Sequence, residues 1–300
     1  MALRLDPATL SGARLRSGAR EAFENAVALL SGQPEGPHHA VHETRKTLKR
    51  MRALYRLVAH RNKADLSREN ARLRDIARRL ARGREAAALA ETARWLVAQA
   101  RSADETALLT RTAAALEARR DSLTGQDTEA DIAAAIEALA GAIEGTAVLS
   151  LPDSRKKTAR LIARNWQRAM QKGRRALSPL TVDSPAEAFH ELRKATQTAN
   201  AYHTLLKPLW PQALTARQDR LRDLIDTLGR ENDLAGIVLL MEKEPQHFGE
   251  AIEQVIQQRV LARRREALRL SALQQAAKVF AADPKEDAEP IEILWNGLGN

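Results

Sequence analysis

VHETRKTLKRMRALYRLVAHR, residues 41–61, is the stretch whose reading decides the fold. It holds seven Arg or Lys, one acid, and neither Gly nor Pro. At 100° per residue, His42, Arg45, Lys49, Arg52 and Arg56 fall within an arc of about 80°. Val41, Thr44, Leu48, Met51, Tyr55 and Val58 fall on the far side. The pattern predicts a helix with one apolar stripe for a core and one cationic stripe. At 1.5 Å rise per residue the cationic row is about 21 Å long. That length suits an extended polyanion better than a small ligand. A lone charge run is usually a solvated face, but such faces normally mix signs in i, i+4 pairs. This one reads as short of counter-charge.

The rest of the chain agrees with an all-α fold. Of 300 residues, 44% are hydrophobic, 29% charged and only 3% aromatic, with Ala, Leu, Arg and Glu dominant. No segment alternates apolar and polar residues as a strand does. Further helices are predicted at 9–31, 64–82, 85–101, 104–121, 128–144, 154–178, 185–206, 209–229, 231–243 and 248–280. The first is closed by Ser31-Gly32, Pro34 and Pro37. Asp127-Thr128 reads as a cap, and so does Ser184 ahead of Pro185 and Glu187. Residues 145–152 read as a linker, and the acidic stretch 283–292 as loosely held.

Net charge is +10, which points to nucleic acid, an anionic membrane surface or another polyanion. There is no cysteine, hence no disulfide and no thiolate chemistry. No apolar run reaches signal-peptide or membrane-spanning length, so a cytoplasmic protein is expected, with no membrane partner.

A shift of 148 residues aligns the chain with itself, without gaps, from 42 to 85. His42-Glu43-Thr44-Arg45-Lys46 lies on His190-Glu191-Leu192-Arg193-Lys194, and Arg72-Leu73-Arg74-Asp75 on Arg220-Leu221-Arg222-Asp223. Two blocks in one register indicate a duplication. The expectation is two pseudo-symmetric helical bundles, 1–148 and 149–300. Related halves can set the two His-bearing helices beside a shared axis and line one groove, which concentrates the field of its charges. The copies are unequal. Lys49, Arg50, Arg52 and Arg56 correspond to Gln197, Thr198, Asn200 and Thr204. The helix before the second copy could compensate, with Arg160, Arg164 and Arg168 at i, i+4, i+8.

These residues resemble the conserved histidine α-helical domain family, CHAD, whose members carry two His-x-x-Arg blocks on basic helices. The family's Leu-Gly turn is matched by Leu228-Gly229-Arg230-Glu231-Asn232-Asp233, and only weakly by Leu80-Ala81-Arg82-Gly83-Arg84-Glu85. The resemblance implies binding of inorganic polyphosphate in a basic, helix-lined groove, and association with polyphosphate granules. Many members carry a CYTH triphosphatase domain with an E-x-E-x-K strand pattern. That pattern is absent, so a stand-alone member is expected.

The implied binding residues are His42, Arg45, Lys46, Lys49, Arg50, Arg52, Arg56, Arg160, Arg164, Arg168, His190, Arg193, Lys194 and Gln197. Arg offers phosphate a fixed fork of donors and Lys a mobile charge. Protonation of the two histidines should tighten binding. His38 and His42 have zinc-like i, i+4 spacing, but the second copy has Ala186 in place of His38, so no metal site is expected. No cofactor is called for. Without a Gly-rich phosphate loop, H-E-x-x-H or nucleophile motif, no enzyme is expected, and a metal-dependent phosphohydrolase is the weakest alternative. Nonspecific duplex nucleic-acid binding is the main rival; scarce aromatics argue against single strands. A helical scaffold charged only for solubility is a third reading. Arg119 and Arg120 are expected outside the groove. Oligomeric state is left open.

Overall fold

The structure is a computed structural model that describes residues 3–61, 63–122 and 126–298, without the side chains of 82–84 and 126–128. The expected cap at Asp127-Thr128 and the block Arg82-Gly83-Arg84 therefore lie outside the described side chains. Among the described residues the chain forms eleven α-helices and no strand.

The first five are α1 (Gly12–Gly32), α2 (Pro37–Leu57), α3 (Lys63–Arg79), α4 (Arg82–Val97) and α5 (Ala103–Ser122). After α6 (Gln126–Glu144) and one 3-10 turn come α7 (Arg155–Leu177) and α8 (Ala186–Leu205). The long α9 (Pro211–Lys243), α10 (Ala251–Val279) and α11 (Pro284–Gly297) finish the fold.

The helix patterns form for local reasons. All six residues assigned to the apolar side of α2 are buried, at 8% exposure or less. Ser11 caps α1 by accepting from the Arg14 N–H at 3.2 Å. Gln33, rather than Gly32, takes the left-handed conformation that ends α1, with φ 43°. Its N–H bonds the Leu29 carbonyl, Pro34 bars continuation, and Gly36 at φ 86° turns the chain into Pro37.

Three sequence expectations need correction. Residues 209–229 and 231–243 are not two helices: α9 runs unbroken through Gly229, so the Leu-Gly block is a helix segment rather than a turn. A helical Gly costs about 1 kcal/mol, and the buried row Leu221, Leu224, Leu228, Leu234 and Ile237 outweighs it. Ser184 does not cap α8; its Oγ accepts from the Thr181 N–H at 2.9 Å, and Pro185 holds the cap position. The acidic stretch is not loosely held. It is α11, capped by Asp283 and buried through Ala288, Ile291 and Trp295.

One pair of helix ends keeps the sequence offset. α2 ends at Leu57 and α8 at Leu205, 148 residues later. α3 and α4 together occupy the stretch that corresponds to the single helix α9. The apolar cores, however, do not divide at residue 148. One core joins α1, α2, α3 and α6 to α7, α8, the first half of α9, the end of α10 and α11. A second joins α4 and α5 to the far ends of α9 and α10, through Leu89, Leu96, Leu116, Ile237, Met241 and Leu261. The α4–α5 hairpin thus completes its core with helices from the other half. Arg119 of α5 clamps Glu244 with two bonds of 3.0 and 3.1 Å, and Arg111 reaches Glu253 at 2.8 Å. No described helix is long and apolar enough to cross a membrane.

Candidate polyanion-binding face

α2 packs directly on α8, so the two His-bearing helices are neighbours. The link on the charged side is Arg56, whose Nη2 donates to Thr198 Oγ1 of α8 at 3.4 Å and which also lies against Tyr202. Burial pushes the Tyr202 phenol up to about 12 against the opposing charge and hydrogen bond of Arg56, so the phenol stays neutral. α2 also packs on α3. Arg52 Nε donates to Asn70 Oδ1 at 3.2 Å, and Arg45 bonds the Ala77 carbonyl. These contacts hold the guanidinium groups in place, which lowers the entropy lost on meeting a ligand.

The face is electrostatically strained. Arg52 is held below its ordinary pKa, first by burial and then by the like charges of Arg56 and Arg74. Arg50 is lowered first by burial, with Arg4 of the N-terminal segment as a repelling neighbour. That segment crosses between the halves, since the Leu5 N–H bonds the Leu205 carbonyl at 2.7 Å. Each half does carry local counter-charges, including Asp75 beside Arg74. Lys46 pairs with Glu43 at 2.8 Å, and Lys194 pairs with Glu191 at the matching position. Both glutamates are lowered, chiefly by those lysine bonds. The row is short of counter-charge but not without it, and its one acid, Glu43, is held by Lys46.

On α8, His190 Nδ1 lies 2.9 Å from Asn232 Oδ1, so His190 and the Leu-Gly block meet between adjacent helices. Arg193 is lowered by burial, with Asp233 and Asp226 as opposing charges, and its Nε is buried without a hydrogen-bond partner. Gly229 faces it, and a Cβ there would make only an ordinary contact, 3.6 Å from Arg193 Nη2. Asp233 is raised, chiefly by burial, and accepts from Thr92 Oγ1 of α4 at 3.3 Å. The rest of the block turns away. Glu231 is 1% exposed and accepts from Arg265 and Arg269 of α10, while Arg230 stacks 4.6 Å over Trp95.

The remaining sequence candidates divide. Lys49 is exposed and Gln197 half-buried. Among the α7 residues, Arg160 pairs with Glu292 of α11 at 3.5 Å, and Arg164 is exposed. Arg168 bonds Asn165 at 3.3 Å, and Asn165 in turn donates to the Leu57 and Ala59 carbonyls at the end of α2. Among the described residues, only Arg168 of the three has a contact that leads to α2. His38 is exposed and His39 pairs with Glu35 at 3.8 Å, while His42 lies 3.7 Å from Glu43. Arg119 and Arg120, expected outside the groove, are on α5, engaged with Glu244 and Asp121. The sequence reading missed Arg4, Asn70 and Tyr202, and left Arg74 out of the site. Arg74 recurs as Arg222 and was detectable in that way; nothing in the sequence marked Arg4.

Comparisons with known proteins agree with the helical arrangement. The family model described as the CHAD domain matches residues 13–239. The crystal structure of the CHAD domain from the plant Ricinus communis superposes with a TM-score of 0.57 at 18% identity, covering 94% of this chain and 95% of that one. A comparison with proteins of curated function finds no match.

Proposed function

The chain belongs to the CHAD domain family, and we propose that it binds inorganic polyphosphate, without cleaving it, along the face where α2 meets α8. The observation that carries this reading is the Arg56–Thr198 contact, which joins two charged helices 142 residues apart into one surface. Around it, the exposed Arg56 and Arg74 both repel the half-buried Arg52, with Asp75 beside Arg74 as a partial counter-charge, an arrangement that a polyanion relieves further. Polyphosphate offers only phosphate oxygens, and this face offers guanidinium forks and lysines in a row. Through the same contact the protein gathers on polyphosphate granules.

The test is competition at physiological salt between long-chain polyphosphate and duplex DNA. Polyphosphate is expected to displace DNA at equal phosphate concentration; the reverse result transfers the face to nucleic acid, whose phosphates make the same salt-dependent contacts. Chain length after incubation, with and without divalent metal, should stay constant; shortening refutes the non-catalytic part. Replacing Arg52 and Arg56 together with Gln should weaken binding at least about tenfold, given about 1.5–3 kcal/mol per charge-assisted bond. The same change at Arg259 and Arg263, exposed on α10, should leave it unchanged. A fluorescent fusion that stays dispersed in granule-bearing cells would remove the granule assignment.

A further inference from the structure

A hollow of about 160 Å³ lies on the other side of α8, between α7, α9, α10 and α11. Its wall carries four cations, Arg174, Arg217, Arg220 and Lys278, against one acid, Asp287. Asp287 is fully engaged: Arg217 pairs with one oxygen at 2.5 Å, and the Trp166 indole N–H donates to the other at 2.8 Å. Arg174 leans away toward Asp283 at 3.4 Å. Arg220 and Lys278 are exposed and have no ion pair or hydrogen bond among the described residues. Two unspent cations and the remaining donors of Arg217 therefore face one small hollow.

The other half of the wall is apolar, with Met170, Leu221, Val279 and Phe280. Gly173 lets the Phe280 ring approach α7, because a Cβ there would overlap the ring. His203, 3% exposed, completes the wall. Its Nδ1 bonds the Ala199 carbonyl at 2.8 Å, which leaves Nε2 as the acceptor of the neutral ring. Burial, the largest cause, keeps the ring neutral. The hollow thus presents donors and positive charge, an acceptor, and an apolar side.

We propose that this hollow binds a small phosphorylated organic anion, with the phosphoryl group on Arg217, Arg220 and Lys278 and its apolar body against Leu221, Val279 and Phe280. The site is separate from the polyphosphate face. His203 follows His190 by thirteen residues, which places it about 140° round the helix from the row that His190 begins. No residue of α2 lines the hollow. Its volume lies below the roughly 300–1,000 Å³ of sites for drug-sized molecules, so the ligand is small. A second, wider hollow of about 570 Å³ shares Arg174, Phe280 and Ala281, adds Arg175, and opens the site outward.

Phenyl phosphate is the probe, titrated into the full chain while the indole N–H of Trp166 is followed by NMR. That proton reports because it bonds the carboxylate that holds Arg217. The expected result is a saturable shift with a dissociation constant below about 10 mM, weakened at least tenfold when Arg220 and Lys278 are both Ala. Inorganic phosphate should bind more weakly, and the Arg52→Gln, Arg56→Gln variant should bind phenyl phosphate normally. A shift that does not saturate, or is unchanged in the Ala variant, overturns the site. Equal affinity for inorganic phosphate overturns the apolar half. Displacement by stoichiometric long-chain polyphosphate overturns its separateness.

Discussion

His203 should make this fold acid-sensitive in a way that one substitution removes. Burial in the second half of α8 pulls its pKa from 6.5 down to about 4, aided by the Arg217 charge; the Ala199 carbonyl and Asp287 oppose the shift. The ring lies against Trp166, with centroids 4.5 Å apart. Between pH 6.5 and 4 the unfolded chain holds a proton on this residue that the folded chain refuses. Stability is therefore complete above the unfolded value and falls as pH falls. The loss runs at about 1.4 kcal/mol per pH unit, so the 1.5 units between 6.5 and 5 correspond to about 2 kcal/mol. His203→Gln keeps a donor for the Ala199 carbonyl and has nothing to titrate. Urea unfolding of both proteins at pH 7.5 and 5.0 separates the terms, since every other group titrates in both. Wild type should lose about 2 kcal/mol more than the variant. Equal losses would mean that His203 protonates in the fold, and the account of a dry, neutral ring would be wrong.

Other substitutions test the joints between helices. Asn165→Ala strips the α2 terminus of donors to the Leu57 and Ala59 carbonyls, and should cost about 1–3 kcal/mol in urea unfolding. Glu231→Gln leaves Arg265 and Arg269 without their shared counter-charge; a loss of about 3–5 kcal/mol is expected, and a loss under 1 would show the pair to be solvated. Gly173→Ala forces Phe280 off α7, so thermal stability should drop and phenyl phosphate affinity should change, while polyphosphate affinity holds.

Much of the fold was legible because helical periodicity is a local property. The apolar side of α2, Val41 to Val58, is buried as its spacing required. Two local signals misled. Gly229 read as a helix end, but packing of Leu228 and Leu234 carries α9 past it. The acids of 283–292 read as a loosely held stretch, although Ala288, Ile291 and Trp295 lie on one helical face and bury it around Pro290. An interior proline costs about 3 kcal/mol, and the buried Trp295 offsets it. The acids that suggested a free tail instead meet Arg160, Arg174 and Arg217.

The sequence by itself determined the two-faced helices, the excess of positive charge and the recurrence of His42 to Lys46 as His190 to Lys194. These depend on spacing along one chain. Only the tertiary structure decided which cations share a surface. Arg56 meets Thr198, Arg52 faces Arg74, and Arg160 is drawn instead to Glu292. It also decided that α4 and α5 complete their core on α9 and α10. Apolar stripes built mostly of Ala and Leu are nearly interchangeable, so periodicity says that a face is buried without saying against which partner. The choice is made by shape and by the few polar contacts that fit only one way, such as Asn165 at the end of α2.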